Sequence, residues 1–364
     1  MQFQVMVDIS TENTAVSVSL QKFKAMLRTP FLVLILFTAC ISVVKGQDIH
    51  FSQFYHAPTL LNPALTGISQ ADVRFSGMYR SQWNSANAPF ETYFFSAENR
   101  FYNVTHPSWW FSGGFNAYYD QSGAGNLSNT NISISGSFTR MLDPENFLTI
   151  GLAAGLGQRG IDYGLLTFDN QWNGDVFDPA RPTNENFDDD NYLYPDFSAG
   201  LNWRGQKSGT RSKIDAGIGF FHFNRPNQTF YKDDKSRLPM RLSLYFNPNV
   251  QVAESLDLIG FGTAQLQGKY LEGLAGFAGR YYLNTKRSRQ VALQFGLEYR
   301  FNSFGDAVIP VAELHYHYMI LGVSWDVNVS GFSVATNKKG GPEIAFKYFI
   351  HRVYPLKAFA CPLI

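Results

Sequence analysis

The sequence of 364 residues is poor in cysteine, in charge and in long apolar runs. Its 2 cysteines are too few for a disulfide-stapled scaffold or a cysteine-rich zinc site. Charged residues make up 16% of the chain and the net charge is +1, so the charge balance does not indicate nucleic acid as a partner. The longest apolar run, 31–44, falls short of the roughly 20 residues that a membrane helix needs. Together with a mean hydropathy of -0.16, this excludes a bundle of membrane helices.

The run at 31–44 has the flanks of an export signal. Basic residues precede it: Lys22, Lys24 and Arg28. A small-residue site that a signal peptidase could cut follows it, directly before Gln47. We therefore expect residues 1–46 to be removed, as a signal peptide that starts at Met26 and an extension that precedes the true start. A buried N-terminal helix is the alternative.

Each cysteine has a different expected fate. Cys40 lies inside the signal, where simple cleavage removes it; modification as a lipoprotein acceptor is the less favoured alternative. Cys361 is then the lone cysteine of the mature chain. Because an intramolecular disulfide is impossible in that case, stability has to come from strand pairing and packing.

Aromatic residues and glycine are abundant, with 33 Phe, 19 Tyr and 31 Gly, which suits many strands joined by tight turns. Apolar and polar side chains alternate in several stretches, most clearly in 131–139, 290–302 and 321–330. Successive side chains of a strand point to opposite faces, so each stretch has one apolar and one polar face. Strands of about 9–11 residues with this pattern cross a bilayer at a tilt. One face is therefore expected to meet lipid.

Candidate strands of this kind number fourteen between residues 71 and 350, and bacterial barrels have even strand numbers. The connections after odd-numbered strands, such as 160–193 and 224–238, are mostly long, whereas several after even-numbered strands are short. Long outer loops and short periplasmic turns are typical of outer-membrane barrels. The predicted fold is all-β: a transmembrane antiparallel outer-membrane β-barrel over 71–350, with long extracellular loops.

Residues 47–70 precede the first candidate strand and lack its periodicity. Asn62-Pro63 and Gly67 punctuate a turn, so this segment is expected to be irregular chain. Its aromatic and leucine side chains need cover, which a seal at the periplasmic mouth or a plug would provide. Residues 351–364 are expected to form a periplasmic C-terminal tail, and both mature termini are expected to be periplasmic.

The longest loop is acidic. Residues 162–196 contain nine Asp or Glu residues against one arginine, Arg181. This surplus would suit a protein partner or Ca²⁺, which prefers hard oxygen ligands. The alternative, which we favour, is a loop kept solvated by its charge, because the spacing matches no calcium-loop signature.

Glu313, His315 and His317 alternate along one candidate strand, so they are expected to share its lumen face. His-x-His on a strand can bind zinc, but polar residues ordinarily line a lumen, so we interpret these three as lining and expect no metal or other cofactor. The sequence contains no nucleophile elbow, no zinc-protease helix motif and no phosphate-binding loop. An enzyme is therefore not predicted.

Several short motifs follow one another from residue 47 to nearly the C-terminus. They are Gln47 to Tyr55, Leu61 to Gly67, Tyr79-Arg80-Ser81-Gln82-Trp83, Gly217 to Pro226, Leu321 to Ser330 with Gly340 to Ile344, and Cys361-Pro362. Together they resemble the PorP/SprF family, membrane proteins of the type IX secretion system in Bacteroidetes. Leu363 and Ile364 depart from the usual ending of that family, which puts only a C-terminal contact in doubt.

The resemblance implies a non-enzymatic outer-membrane component of type IX secretion or gliding motility. Its implied partners are a secreted surface protein and periplasmic or lipoprotein secretion components, with outer-membrane lipid around the barrel. The residues that the resemblance singles out, as folding determinants or partner contacts, are Asn62, Pro63, Gly67, Arg80, Gln82, Trp83, His222 and Pro226. A porin or small-solute channel and an outer-membrane hydrolase remain as alternative classes.

Overall fold

The structure is a computed structural model. It describes residues 48–352 apart from 83–89, 103–106, 124, 186–189, 231–236, 287–288, 303–306 and 331–338. The export signal with Met26 and Cys40, the motif residue Trp83, and the tail beyond Arg352 with Cys361 therefore lie outside the described residues. No helix in the described part is long and apolar enough to cross a membrane.

The described residues form fourteen strands. They are β1 (Val73–Gln82), β2 (Phe90–Tyr102), β3 (Trp109–Ser122), β4 (Leu127–Asp143), β5 (Asn146–Gly160), β6 (Asn191–Gln206), β7 (Lys213–Phe221), β8 (Arg241–Ala253), β9 (Leu256–Gln267), β10 (Tyr270–Asn284), β11 (Val291–Phe301), β12 (Ala307–Tyr316), β13 (Met319–Asn328) and β14 (Lys339–Ile350). A one-turn α-helix spans Pro58–Leu61, and 3-10 helices span Phe54–His56, Pro63–Leu65, Tyr163–Leu165 and Asp169–Gln171.

The sheet closes on itself. Each strand pairs antiparallel with its neighbours in sequence, and β1 pairs with β14, with Val73 opposite Ile350. Closure leaves no sheet edge along the barrel seam, as a lipid environment demands. The predicted 14-stranded antiparallel barrel is confirmed.

The two ends of the barrel differ in their connections. We call the end that carries 161–190 and 222–240 the loop end, and the end that carries the connections 144–145, 254–255 and 317–318 the short-turn end. This is the asymmetry that the sequence predicts.

Side-chain burial is inverted relative to a water-soluble protein. On β13, Val323 and Trp325 are each nearly half exposed on the outer face, whereas Ser324 and Asp326 are buried in the lumen. The same inversion runs along β4 and β11. Apolar side chains are favourable on an outer face only when the surrounding solvent is itself apolar. The outer face is therefore a lipid-facing surface, as predicted.

Residues 48–72, which we call the lumen segment, lie inside the barrel. Asp48 contacts His222 and Arg241 at the loop end, and Asp72 accepts a hydrogen bond from the Arg352 N–H at the short-turn end. The segment thus runs the length of the lumen, and the described chain begins and ends at opposite ends of the barrel. This path gives no support to the expectation that both mature termini are periplasmic, because the segment starts at the loop end and joins β1 at the short-turn end.

The lumen segment supplies the apolar core of the molecule. Its Phe54, Leu61 and Leu65 pack against inward side chains of β8, β9, β10 and β12. On the other side, Phe51 packs against β1, β2, β3 and β14. A cavity of about 30 Å³ between the segment and the wall leaves room for only about two water molecules. Burial of these side chains, rather than hydrogen bonding alone, therefore holds the segment in the lumen.

Candidate functional site

Asn62 and Pro63 hold the lumen segment against the barrel wall. The fully buried Asn62 amide donates to the Leu201 carbonyl oxygen at 2.8 Å and accepts from the Ala64 N–H at 2.8 Å. The second bond caps the 3-10 turn Pro63–Leu65, whose first position suits proline because its missing N–H is not needed there. One amide side chain thus donates to the wall and caps the turn at once.

Gly67 lies where the lumen segment passes close to Ser112 of β3. Its φ of +69 lies in the left-handed region, and an added Cβ would overlap Ser112. The Gly67 N–H donates to the Glu98 carboxylate at 2.8 Å. Arg74 holds the same carboxylate with two nitrogens and donates to the Leu65 carbonyl at 3.0 Å. Glycine is therefore required here by conformation and by contact.

Arg80 belongs to a buried charged cluster that ties the lumen segment to β1, β11, β13 and β14. The Asp326 carboxylate accepts from both Arg80 and Arg300, at 2.7 and 2.6 Å. The Ser52 hydroxyl donates to that carboxylate at 2.9 Å, and the Ser52 N–H donates to Glu343 at 2.8 Å. The four charged side chains are at most 2% exposed. At that depth each charge has to be paired, because an uncompensated buried charge is costly.

Glu313 and His315 face the lumen as predicted, but His317 does not share their strand. β12 ends one residue before His317, which lies in the turn with a φ of 52. The prediction was wrong there because the alternation of apolar and polar residues in the sequence continues past the residue at which the chain turns. Glu313 accepts from the Tyr55 hydroxyl at 2.7 Å and lies 3.3 Å from the His56 imidazole. Among the described residues, which leave out Asp188 and Asp189 of the acidic connection, no group of three or more His, Cys, Asp or Glu side chains could hold a metal ion.

His222 anchors the start of the lumen segment at the loop end. Its Nδ1 lies 2.8 Å from Asp196, its Nε2 bonds Asp48, and the Arg241 guanidinium lies 3.5 Å from the same Asp48 carboxylate. Burial lowers the pKa of His222, but the Asp48 charge and the hydrogen bonds to Asp196 and Asp48 outweigh it and raise that pKa from 6.5 to about 9. Burial likewise opposes ionisation of Asp48, yet His222 and Arg241 hold its pKa below the ordinary value. The anchor is therefore an ion pair at neutral pH.

Asn224 and Pro226, which follow this histidine, also make hydrogen bonds at the loop end. Asn224 bonds the part of the β6 edge that β7 does not reach. Described pairing between β6 and the shorter β7 stops at Ala199. Beyond it, the Asn224 side chain accepts from the Phe197 N–H at 3.3 Å and donates to the Pro195 carbonyl at 2.7 Å. These are the two bonds that a neighbouring strand would supply. Pro226 is buried, and its carbonyl accepts a backbone N–H from the returning chain at 2.9 Å.

The sequence motifs singled out residues of the lumen segment and, on the wall, Arg80 and His222. They did not single out Arg300, Asp326 and Glu343, which complete the cluster around Arg80. In the sequence each of the three is only a charged residue on the polar face of a strand, and the strands of a barrel commonly carry such residues. Gln82 ends β1 half-buried, and Trp83 lies outside the described residues.

Solved structures with a similar barrel include the following three. The toluene transporter TbuX of Ralstonia pickettii has 12% identity and a TM-score of 0.47, covering 81% of this chain and 94% of its own. A FadL homologue of Pseudomonas aeruginosa has 10% identity and a TM-score of 0.46, covering 80% and 93%. CdiB of Escherichia coli has 10% identity and a TM-score of 0.42, covering 77% and 63%. Likeness at this level carries no functional argument.

No curated protein matches the sequence. Residues 43–348 match the family model described as type IX secretion system membrane protein PorP/SprF. The match spans the lumen segment and nearly the whole barrel, and the lipid-facing outer surface of a closed antiparallel barrel places the protein in the outer membrane. The chain belongs to the PorP/SprF family of type IX secretion system membrane proteins.

Proposed function

We propose that this protein is a non-enzymatic anchor of the type IX secretion system. The barrel, closed by its own lumen segment, would hold a secreted surface protein and meet periplasmic or lipoprotein secretion components. The observation that carries this proposal is the filling of the lumen from the loop end to the short-turn end by buried bonds and apolar packing. A filled lumen supports a rigid body that binds partners on its rims. No cofactor is part of the proposal.

The two rims have different roles in this proposal. The loop end would face the cell surface, with 160–193 and 224–238 holding the secreted protein. The tail 351–364 follows β14 at the short-turn end, and we propose that it faces the periplasmic machinery. A role in gliding motility would act through the same surface partner.

Conductance of the purified protein in a planar bilayer separates the anchor from the alternative, a small-solute channel. We expect no steady current through the wild-type protein. Deletion of residues 48–66 is expected to give an ohmic current, because the deletion empties a lumen lined by polar side chains. This deletion also controls for insertion into the bilayer. A steady ohmic current through the wild-type protein would favour the channel.

Surface retention tests the anchoring role directly. Deletion of the gene in the native host is expected to move one or more surface proteins into the medium or to block their export. Surface labelling with a membrane-impermeant reagent and mass spectrometry would measure this change. An unchanged surface proteome would contradict the proposal.

A further inference from the structure

The connection between β5 and β6 carries a small hairpin that is held by local bonds. Trp172 and Phe177 form an antiparallel bridge. At its tip, the Asn173 side chain accepts from the Asp175 N–H at 2.9 Å, and Gly174 turns the chain with a φ of +108. A φ in this region suits glycine, which has no Cβ. The hairpin therefore has its shape before any partner binds.

The hairpin exposes two aromatic rings as one patch. Trp172 is 54% exposed and Phe177 is 42% exposed. Residues directly opposite each other in an antiparallel pair point to the same face, so the rings are neighbours. The outer row of β5 changes from Leu156 to Gln158 before the connection begins, and Gln158 donates to Asn191 at 3.1 Å. The hairpin itself lies in the connection beyond the last paired residues of β5 and β6, Gly160 and Asn191, so it belongs to the loop end and not to the lipid-facing strands.

Three carboxylates lie close to the patch in the sequence, and their charge determines which partner surface fits the patch. Asp169, Asp175 and Asp178 lie within three residues of one ring or the other. Arg181, the one arginine of the acidic stretch 162–196, donates to the Trp172 carbonyl at 2.9 Å. Three carboxylates against this one guanidinium leave the rim negative, so it attracts a basic surface and repels an acidic one.

We propose that Trp172 and Phe177 are the docking patch for a protein partner that presents an apolar pocket ringed by lysine or arginine. The partner is the secreted surface protein of the proposed function, on which this inference rests. Trp is one of the side chains enriched at binding hot spots, and a preformed hairpin loses little conformational entropy on binding.

The test uses the native host with the full-length protein as its only copy. The dependent surface proteins are first defined as those lost from the cell surface when the gene is deleted. We expect Trp172→Ala with Phe177→Ala to lower their retention on the cell by at least about tenfold, the scale of a hot-spot truncation. Leu165→Ala is the matched control, since Leu165 is 51% exposed on the same connection outside the hairpin, and it is expected to retain them.

A salt wash tests the charge of the rim. Asp169→Asn with Asp175→Asn removes two carboxylates and leaves both aromatic rings in place. We expect the dependent proteins to leave these cells at a lower salt concentration than wild-type cells, because the attraction between the rim and a basic partner is weakened. Release at the same salt concentration would overturn the basic character of the partner.

The remaining outcomes separate this inference from the function that it rests on. Wild-type retention by the double aromatic variant overturns the docking patch, while an unchanged surface proteome after gene deletion overturns the proposed function. Equal loss of retention with Leu165→Ala overturns the patch, because it assigns the loss to the whole connection. Less folded barrel in the membrane, with normal retention per barrel, would assign the rings to lipid contact and also overturn the inference.

Discussion

At the scale of single residues, the lumen segment depends on side chains that satisfy more than one demand. Asn62 both caps a turn and bonds the wall, and His222 pairs with carboxylates of two elements. Each of these types was visible in the sequence as a motif. Their partners were not, because Leu201 and Asp196 reach them only through the register of β5, β6 and β7. Substitutions of single residues therefore test contacts that only the folded structure creates.

Gly67→Ala, compared with Gly123→Ala, separates the cost of a steric overlap from the cost of a left-handed backbone. Gly67 and Gly123 have φ values of +69 and +74, but only at Gly67 would an added Cβ meet other atoms, those of Ser112. Both alanine substitutions carry a left-handed backbone cost of roughly 1 kcal/mol. We expect Gly67→Ala to lower the free energy of unfolding by about 1–3 kcal/mol more than Gly123→Ala, through overpacking. Denaturant titration in detergent measures both, and equal losses would contradict the contact.

His222 makes stability depend on pH in a defined direction. Its folded pKa of about 9 lies above 6.5, so its ion pair contributes fully below pH 6.5 and is lost as pH rises through 9. This shift corresponds to roughly 3 kcal/mol. The lowered pKa of Asp48 sets the acid limit, since that contribution is present above the ordinary value of 3.8 and lost as pH falls through the folded pKa.

The measurement is the free energy of unfolding as a function of pH. We expect the wild-type value to fall between pH 6.5 and 9, and we expect His222→Asn to remove most of that fall. Asparagine tolerates the left-handed backbone and carries no titrating charge. Parallel profiles for the two proteins over this range would contradict the role of His222.

At the scale of elements, strands and the lumen segment obey different rules. Alternation predicted the strands because one face meets lipid and the other the lumen, so every second side chain is constrained. The lumen segment has only a one-turn helix and 3-10 turns, and its order comes from the wall. Phe51, Phe54 and Leu61 showed in the sequence that the segment needed cover, but they did not show where it ran.

Asp326→Asn tests the charged cluster that holds this segment. The substitution leaves Arg80 and Arg300 buried with one carboxylate fewer, so we expect a loss of about 3–5 kcal/mol in the free energy of unfolding. Hydrogen exchange is expected to speed up at the N–H groups of Ser52 and Gln53. Mass spectrometry of the peptide that contains them would show this.

The matched control for that experiment is Glu254→Gln. Glu254 is an exposed carboxylate in the turn between β8 and β9. We expect it to change neither the stability nor the exchange of the lumen segment, because surface charges contribute little. If Asp326→Asn left the exchange at Ser52 unchanged, the cluster would not be what holds the segment.

At the scale of the whole molecule, the defining property is a barrel with its apolar side chains outside and its polar side chains within. Two apolar clusters inside the lumen are an exception, and the lumen segment creates both. The outer face needs lipid to be stable, so its tolerance of charge is expected to depend on depth in the bilayer.

Phe277→Lys and Leu283→Lys test this depth dependence on one strand. Phe277 lies at the middle of β10 and is 69% exposed, while Leu283 lies near the short-turn end and is 62% exposed. We expect a loss of about 2–4 kcal/mol at Phe277 and about 0–1 kcal/mol at Leu283, because lysine near the interface reaches water. Unfolding in lipid vesicles measures both values. Similar small losses at the two positions would contradict a lipid-facing outer surface.

The sequence by itself determined the strand count, the lipid-facing surface and the asymmetry of the two ends, because these follow from local alternation and connection length. The tertiary structure alone decided which polar side chains meet. Asp326 faces Arg80 through strand closure, Glu313 meets His56 of the lumen segment, and His317 leaves the strand where the chain reverses. The physical reason is register: alternation specifies the face of each residue, while closure of the sheet and the path of the lumen segment specify its neighbour.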